Sequence, residues 1–402
     1  MNWPRQTDFL IIGGGIIGIS IALELAYRYP DDKIVVLEKE TSTGQHASGR
    51  NSGVLHAGFY YTADSHKARL TRAGNRELTE YCLERKLTIN RCGKLVVTRN
   101  EAELDGLNEL FYRGKTNQVD VKIISAIEAR EIEPRVNTIK QALYSPTTAT
   151  VNPLEIINSL TQDAEDLGVL FLTGCVFLNH DNAVVKTNKG EITAGYIINT
   201  AGLYADRIAH RFGFASNFTI LPFKGLYLQA EENTQSLRCN IYPVPEMQIP
   251  FLGVHLTVAP DGGIKIGPTA TPALWRENYS GLKNFRLDEF REIVVTGIRL
   301  FFSSQFNFGK LAWEELGKMN KSKLVKLALV MVNDLDPRQF CKWGQAGIRA
   351  QLVNKKTRRL EMDFYFEGDD RSFHVLNAIS PAFTCALPFG RMVVDEIENR
   401  AG

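Results

Sequence analysis

The stretch from Asp8 to Glu40, DFLIIGGGIIGISIALELAYRYPDDKIVVLEKE, leaves this chain little freedom in how it begins to fold. FLII is a short apolar run that fits a strand buried on both faces. Gly13, Gly15 and Gly18 follow in G-x-G-x-x-G spacing. From Ile16 the apolar positions recur at helical intervals, through Ile17, Ile21, Leu25 and Tyr27. A second apolar run, KIVVLEK, ends in Glu38, 20 residues after Gly18, with Lys39 beside it. Strand, glycine turn, helix, strand and acid in this order read as a dinucleotide-binding unit. Gly13 is expected to make the tight turn, Gly15 to let backbone approach a pyrophosphate, and Gly18 to seat helix on strand. The helix start at Ile16 and Ile17 then faces the pyrophosphate, and Glu38 accepts the ribose hydroxyls. An acid at that point disfavours a 2′-phosphate.

The residues after Glu38 bear on which dinucleotide. A nicotinamide enzyme usually passes to its next crossover helix. This chain runs instead through TSTGQHASGRNSG, a long polar loop. Such a loop can lie along an extended cofactor and offer N–H groups to its phosphates. FAD, held non-covalently, is therefore the expected cofactor, with Ser48, Arg50, Asn51, Ser52 and Gly53 as the loop groups that meet it. The loop leads to one histidine, His56, and two tyrosines, Tyr60 and Tyr61.

The 402 residues suffice for two or three domains, or for two that interleave. A net charge of +2 argues against a nucleic-acid partner. No apolar run reaches the roughly 18 residues of a membrane span. MNWPRQTDF enters a strand without a charged and apolar leader, so a cytoplasmic protein is expected, with peripheral contact at the inner membrane an option. Six scattered cysteines without a CxxC pair fit reduced thiols better than disulfides or a zinc site.

E-K-E, then S-G-x-N-S-G-V-x-H-x-G-x-Y-Y, then K-A-R-L (Lys67 to Leu70), resembles the L-2-hydroxyglutarate dehydrogenase/oxidase family of D-amino-acid-oxidase-like flavoproteins. The likeness continues in CGKLVV (92–97), VNPLEI (151–156), NTAGLYADRIA (199–209) and PFKGLYL (222–228). NIYPVPEMQIPFLGVHLT (240–257) with IKIGPTA (264–270) is its most specific part, and AGIRAQ (346–351) and HVLNAISPAFTCAL (374–387) complete it. The family usually has histidine at Arg50 and arginine at Lys224, and smaller residues at Ile379 and Phe383.

The fold expected is α/β (α+β overall). A Rossmann-type FAD-binding domain (1–84, 151–215 and 346–402) is interleaved with a mostly antiparallel β-sheet substrate domain (85–150 and 216–345). VNPLEIINSL onward reads as helix then strand, and VVKTNKGEITAGYIINTAG as a hairpin. GKLVVTR, KGLYLQA, GVHLTVA and GIKIGP read as strands. WEELGKMNKSKLVKLALVMVNDLDP (313–337) reads as lysine-rich helices. It either caps the substrate domain or docks on an anionic membrane or electron-accepting partner.

Oxidising an alcohol needs a base for the hydroxyl proton while the α-hydride goes to flavin N5. His56 and His255 are the candidates. Each also has a bland reading, as a flavin contact or a strand histidine. Arg349 suits one substrate carboxylate as a fork and Lys224 the other as a point charge. Tyr60, Tyr61 and Tyr242 offer hydroxyls or packing. Val176, on the strand after Gly174, is expected at the adenine, and Ala201 and Gly202 at a strand end near the cofactor. Ser380, Pro381, Ala382, Phe383 and Thr384 precede the last helix, where N–H groups can stabilise charge on the flavin ring. The resemblance implies oxidation of L-2-hydroxyglutarate or a close 2-hydroxy acid, with a quinone, the respiratory chain or O2 as acceptor. An amino-acid or amine oxidase, or a flavin-binding protein without turnover, are the alternatives.

Overall fold

The computed structural model describes residues 3–232, 234–246, 252–301 and 308–401, so residues 247–251 of the NIYPVPEMQIPFLGVHLT stretch lie outside it. The fold is mixed α/β, with helices and several sheets. The chain forms two compact units. Unit 1 comprises Met1–Arg50, Pro153–Pro222 and Arg349–Gly402, and unit 2 comprises Asn51–Asn152 and Phe223–Ile348.

Unit 1 is built on the parallel core that the opening stretch predicts. β1 (Gln6–Ile12) runs parallel to β2 (Ile34–Leu37), with Phe9 opposite Ile34, and on its other side to Glu191–Asn199. Leu10 and Ile11 are fully buried, as strands covered on both faces must be. The helix α1 (Ile16–Arg28) connects β1 and β2. It packs against Ala386–Ala401 so closely that a Cβ on Gly390 would stand 2.8 Å from the Ser20 carbonyl oxygen. Leu170–Leu172 extends the sheet beyond β2, and Val184–Thr187 with Phe177–Asp181 extends it as an antiparallel pair beyond Glu191–Asn199. Val176 lies just before Phe177–Asp181 rather than on it, because Asn188 holds both its N–H and its carbonyl in a turn.

Unit 2 holds an eight-stranded sheet. Its order runs from Phe340–Trp343 through Leu228–Ala230, Ile264–Gly267, His255–Val258, Asn240–Pro243, Lys94–Val97 and Gln141–Ser145 to Lys122–Ser125. Asn240–Pro243 and Lys94–Val97 are parallel, and the other neighbours are antiparallel. KGLYLQA is not one strand. Phe218–Gly225 ends within it and Leu228–Ala230 starts anew, since Leu226 and Tyr227 spend backbone groups on Thr269 and Gly344. The lysine-rich segment forms helices Phe308–Gly317 and Lys321–Leu329, and the second buries Leu324, Val325 and Ala328 in the unit 2 core. Among the described residues no helix is long and apolar enough to cross a membrane.

Candidate active site

The three glycines of unit 1 are needed for three different reasons. Gly13 has φ +116°, and a Cβ there would stand 2.6 Å from the Thr200 carbonyl oxygen. A Cβ on Gly18 would come within 2.1 Å of the Gly13 oxygen, so only glycine seats α1 on the turn. Beside Gly15, among the described residues, only the Ser48 hydroxyl is near, at 3.1 Å, which leaves its other side open. The Ser48 hydroxyl accepts the Ile16 N–H at 3.0 Å at the start of α1. Glu38 is buried. Its carboxylate accepts the Gly14 N–H at 2.9 Å and the Glu40 N–H at 2.8 Å, one on each oxygen. Lys39 pairs with Glu40 and lies over the Tyr204 ring.

Unit 2 gathers the other chemistry on one face of its sheet. Strand alternation sends Leu95, Val97, Ile241 and Leu256 into one core and leaves Lys94, Val96, Tyr242 and His255 on the opposite face. His255 stacks on Tyr242 with ring centroids 3.8 Å apart and planes at 12°. Its Nδ1 lies 2.9 Å from the Gly253 carbonyl oxygen. A carbonyl only accepts, so Nδ1 carries the proton and Nε2 keeps its lone pair. Among the described residues Nε2 is buried with no hydrogen-bond partner. Burial, and then the neighbouring Lys94, depress the His255 pKa to about 3. His56, just after the short strand Val54–Leu55, is buried too, and burial followed by Lys94 and His255 holds its pKa well below the usual range. Both imidazoles are therefore neutral at physiological pH. Tyr60 and Tyr242 are buried beside them, and burial raises both phenol pKa values.

A model of the FAD dependent oxidoreductases matches residues 8–396. The chain belongs to this FAD-dependent family. Within it the chain is 35% identical over 403 residues to the L-2-hydroxyglutarate dehydrogenase of Escherichia coli K12, covering 98% of this chain and 93% of that protein. It is 34% identical to the mitochondrial L-2-hydroxyglutarate dehydrogenase of Homo sapiens, covering 98% and 89%. These relatives place it in the L-2-hydroxyglutarate dehydrogenase group. In fold it is similar to the FAD-bound L-alpha-glycerophosphate oxidase of Mycoplasma pneumoniae, with a TM-score of 0.77 at 24% identity over 98% and 95% of the two chains.

FAD is the cofactor of the family, and the residues of unit 1 fit it. Glu38 has given each carboxylate oxygen one backbone donor, which leaves an acceptor site on each for ribose hydroxyls. Gly15 is open where a side chain would fill the cradle. Gly202 has φ +54°, with nothing among the described residues within 4 Å of a Cβ, and it opens a turn after Ala201, beyond the strand end at Asn199. Val176 suits adenine less well than its sequence position suggests, since Asn188 Oδ1 takes its N–H at 2.8 Å. In the segment before the last helix, Ala382 donates to the Ile379 carbonyl, and Thr384 is fully buried beside the half-buried Phe383. Ser380 is exposed and joined to Pro381 by a cis peptide. Arg50 donates to the Gln45 carbonyl at 2.6 Å, which ties the loop to itself. In unit 2, Asn51 Oδ1 accepts the Gly53 N–H at 2.8 Å and Ser52 Oγ accepts the Val54 N–H.

Of the substrate candidates, Tyr60, Tyr242 and His255 cluster together. Tyr61 is half-buried, with the Lys67 ammonium 5.9 Å from its ring centroid. Lys224, in unit 2, is half-buried, and desolvation lowers its pKa. Arg349 belongs to unit 1, on the strand Gly347–Asn354. Sequence reasoning passed over Lys94, which is 0% exposed in the cluster. The available signal was a lysine opening an otherwise apolar strand, GKLVV.

Proposed function

We infer that this flavoprotein oxidises L-2-hydroxyglutarate, the substrate that its relatives' names give, to the 2-oxo acid. The observation that carries the reading is His255, whose Nδ1–H is directed to the Gly253 carbonyl while a neutral Nε2 stands buried and unpartnered among the described residues. That nitrogen takes the substrate hydroxyl proton as the carbonyl forms. FAD, when bound, supplies the two-electron acceptor for the α-hydrogen. His56, also neutral, lines the same cluster. Arg349 and Lys224 are the candidates for the substrate carboxylate beside the reacting carbon. The test is anaerobic mixing of the purified yellow holoprotein with L-2-hydroxyglutarate, D-2-hydroxyglutarate, lactate, glycerol 3-phosphate and glycine. Bleaching by the L-dicarboxylate alone supports the reading. Bleaching by another compound only, or by none, overturns it.

The electrons then pass to a quinone or respiratory acceptor at an anionic membrane surface, or to O2. Exposed Trp313, Leu316 and Met319 share the lysine-rich segment with exposed Lys323 and Lys326, a mixture suited to a lipid interface. Lys318 and Lys321 take no part, being engaged by Glu315 and the Cys341 carbonyl. Cosedimentation with anionic but not neutral vesicles supports the membrane contact, and no difference between the two removes it.

A further inference from the structure

Lys94 is a cation without an anion. Its side chain is 0% exposed, and its Nζ has no hydrogen-bond partner among the described residues. The Nζ lies 4.0 Å from the Tyr242 ring centroid, 5.3 Å from that of Tyr60 and 5.8 Å from that of Phe59. His56, His255 and Cys92 are the titratable neighbours that complete its surroundings, and no carboxylate is among them. Aromatic faces attract an ammonium but do not replace its lost hydrogen bonds. A lysine kept in such a place is explained by a ligand that brings the missing charge.

Two further buried polar atoms of the cluster also lack partners among the described residues, the Tyr60 hydroxyl and His255 Nε2. His255 covers one face of Tyr242 at stacking distance, so the Lys94 ammonium, 4.0 Å from the same centroid, lies over the other face. A ligand that meets both must therefore present a hydroxyl proton at one end and an anion at the other, with a carbon spacer between. We propose that Lys94 receives the substrate carboxylate remote from the reacting hydroxyl, and so selects dicarboxylates over simple 2-hydroxy acids. This rests on the proposed oxidation of L-2-hydroxyglutarate and adds the residue that chooses the substrate class.

The experiment compares wild-type holoenzyme with Lys94→Met, which keeps length and removes charge, and with Lys94→Gln should the methionine variant fail to fold. A charge-assisted hydrogen bond of the usual strength corresponds to a loss of about 10- to 100-fold in kcat/KM for L-2-hydroxyglutarate. Activity on L-2-hydroxyvalerate, which has methyl in place of the remote carboxylate, should hold or rise. Equal losses on both compounds, or no loss on either, overturn the proposal. Calorimetric binding of glutarate and butyrate to the oxidised holoenzyme gives an answer without turnover. The wild type should prefer glutarate and the variant should not, and a preference that survives the substitution overturns the assignment. If the wild type oxidises neither hydroxy acid, the functional reading fails, while the glutarate measurement still decides the role of Lys94.

Discussion

The imidazole of His255 is held on two sides, by the Tyr242 ring stacked 3.8 Å away and by the Gly253 carbonyl 2.9 Å from Nδ1. This fixes both its plane and its tautomer. In His255→Asn the amide Nδ2 can still donate to Gly253, but nothing replaces the Nε2 lone pair. The variant should fold, bind FAD and bind glutarate, while kcat falls by about 10²- to 10⁴-fold. Stopped-flow flavin reduction is the direct measurement. Should His56→Asn suffer that loss and His255→Asn keep near-normal reduction, the base is His56.

Gly18 and Gly15 separate folding from cofactor affinity. Alanine at 18 drives a Cβ to 2.1 Å from the Gly13 oxygen and 2.8 Å from Thr200 Oγ1, so α1 must move off its strand. The expected cost to the apoprotein is about 1–3 kcal/mol, with FAD content falling as well. Alanine at 15 meets only the Ser48 hydroxyl, at 3.1 Å. It should leave apoprotein melting nearly unchanged and weaken FAD alone, as read by flavin fluorescence on titration. The reverse pattern would show that the two glycines had been given each other's roles.

These contrasts show what the sequence made legible. The strand, glycine turn, helix and acid of unit 1 are contiguous, and each is fixed by local rules, so Gly13, Gly18 and Glu38 were readable in order. The cluster of unit 2 was only half readable. His56 and His255 stood out as single histidines, but the meeting of His255 with Lys94 depends on Asn240–Pro243 pairing both with His255–Val258 and with Lys94–Val97, nearly 150 residues earlier in the chain. Register over such a separation is set by packing, not by local pattern. Lys94 was missed because a lysine at a strand end is ordinarily solvated. Val176 was misplaced because the Asn188 side chain, 12 residues on, holds it in a turn.

Acid should destabilise the protein through its buried imidazoles. His255 is held to about 3, His374 to about 4 and His56 well below its usual range, each chiefly by burial. The unfolded chain regains ordinary histidine values near 6.5. As pH falls from about 6.5 towards 4, the unfolded state binds more protons than the folded one, and stability drops. His374, between Asn199 and Ser372 in unit 1, is given no part in the proposed proton transfer and provides the test. His374→Asn should lose less melting temperature between pH 7 and pH 5 than the wild type does. Parallel curves would show that this imidazole is not held neutral.

Lys94 gives a dependence of the same sign at higher pH, between its folded and unfolded pKa values. Burial depresses its pKa from 10.5 to about 7, and the groups around it are His56, His255, Cys92, Tyr60 and Tyr242, none of them an anion in the resting protein. Below about pH 7 both folded and unfolded chains carry the proton, and the folded state bears the whole cost of the buried charge, of the order of a few kcal/mol. Between about 7 and 10.5 the folded protein releases that proton while the unfolded chain keeps it, so this cost shrinks as pH rises. Lys94→Met removes it at every pH. The ligand-free variant should therefore melt above the wild type at pH 6, and the gap should close as pH approaches 10. Saturating glutarate should narrow the gap at pH 6 from the other side, since the wild type gains the ligand's charge and the variant does not. A variant that melts below the wild type at pH 6, or a gap that ignores both pH and glutarate, would mean that Lys94 is not a buried cation awaiting a carboxylate.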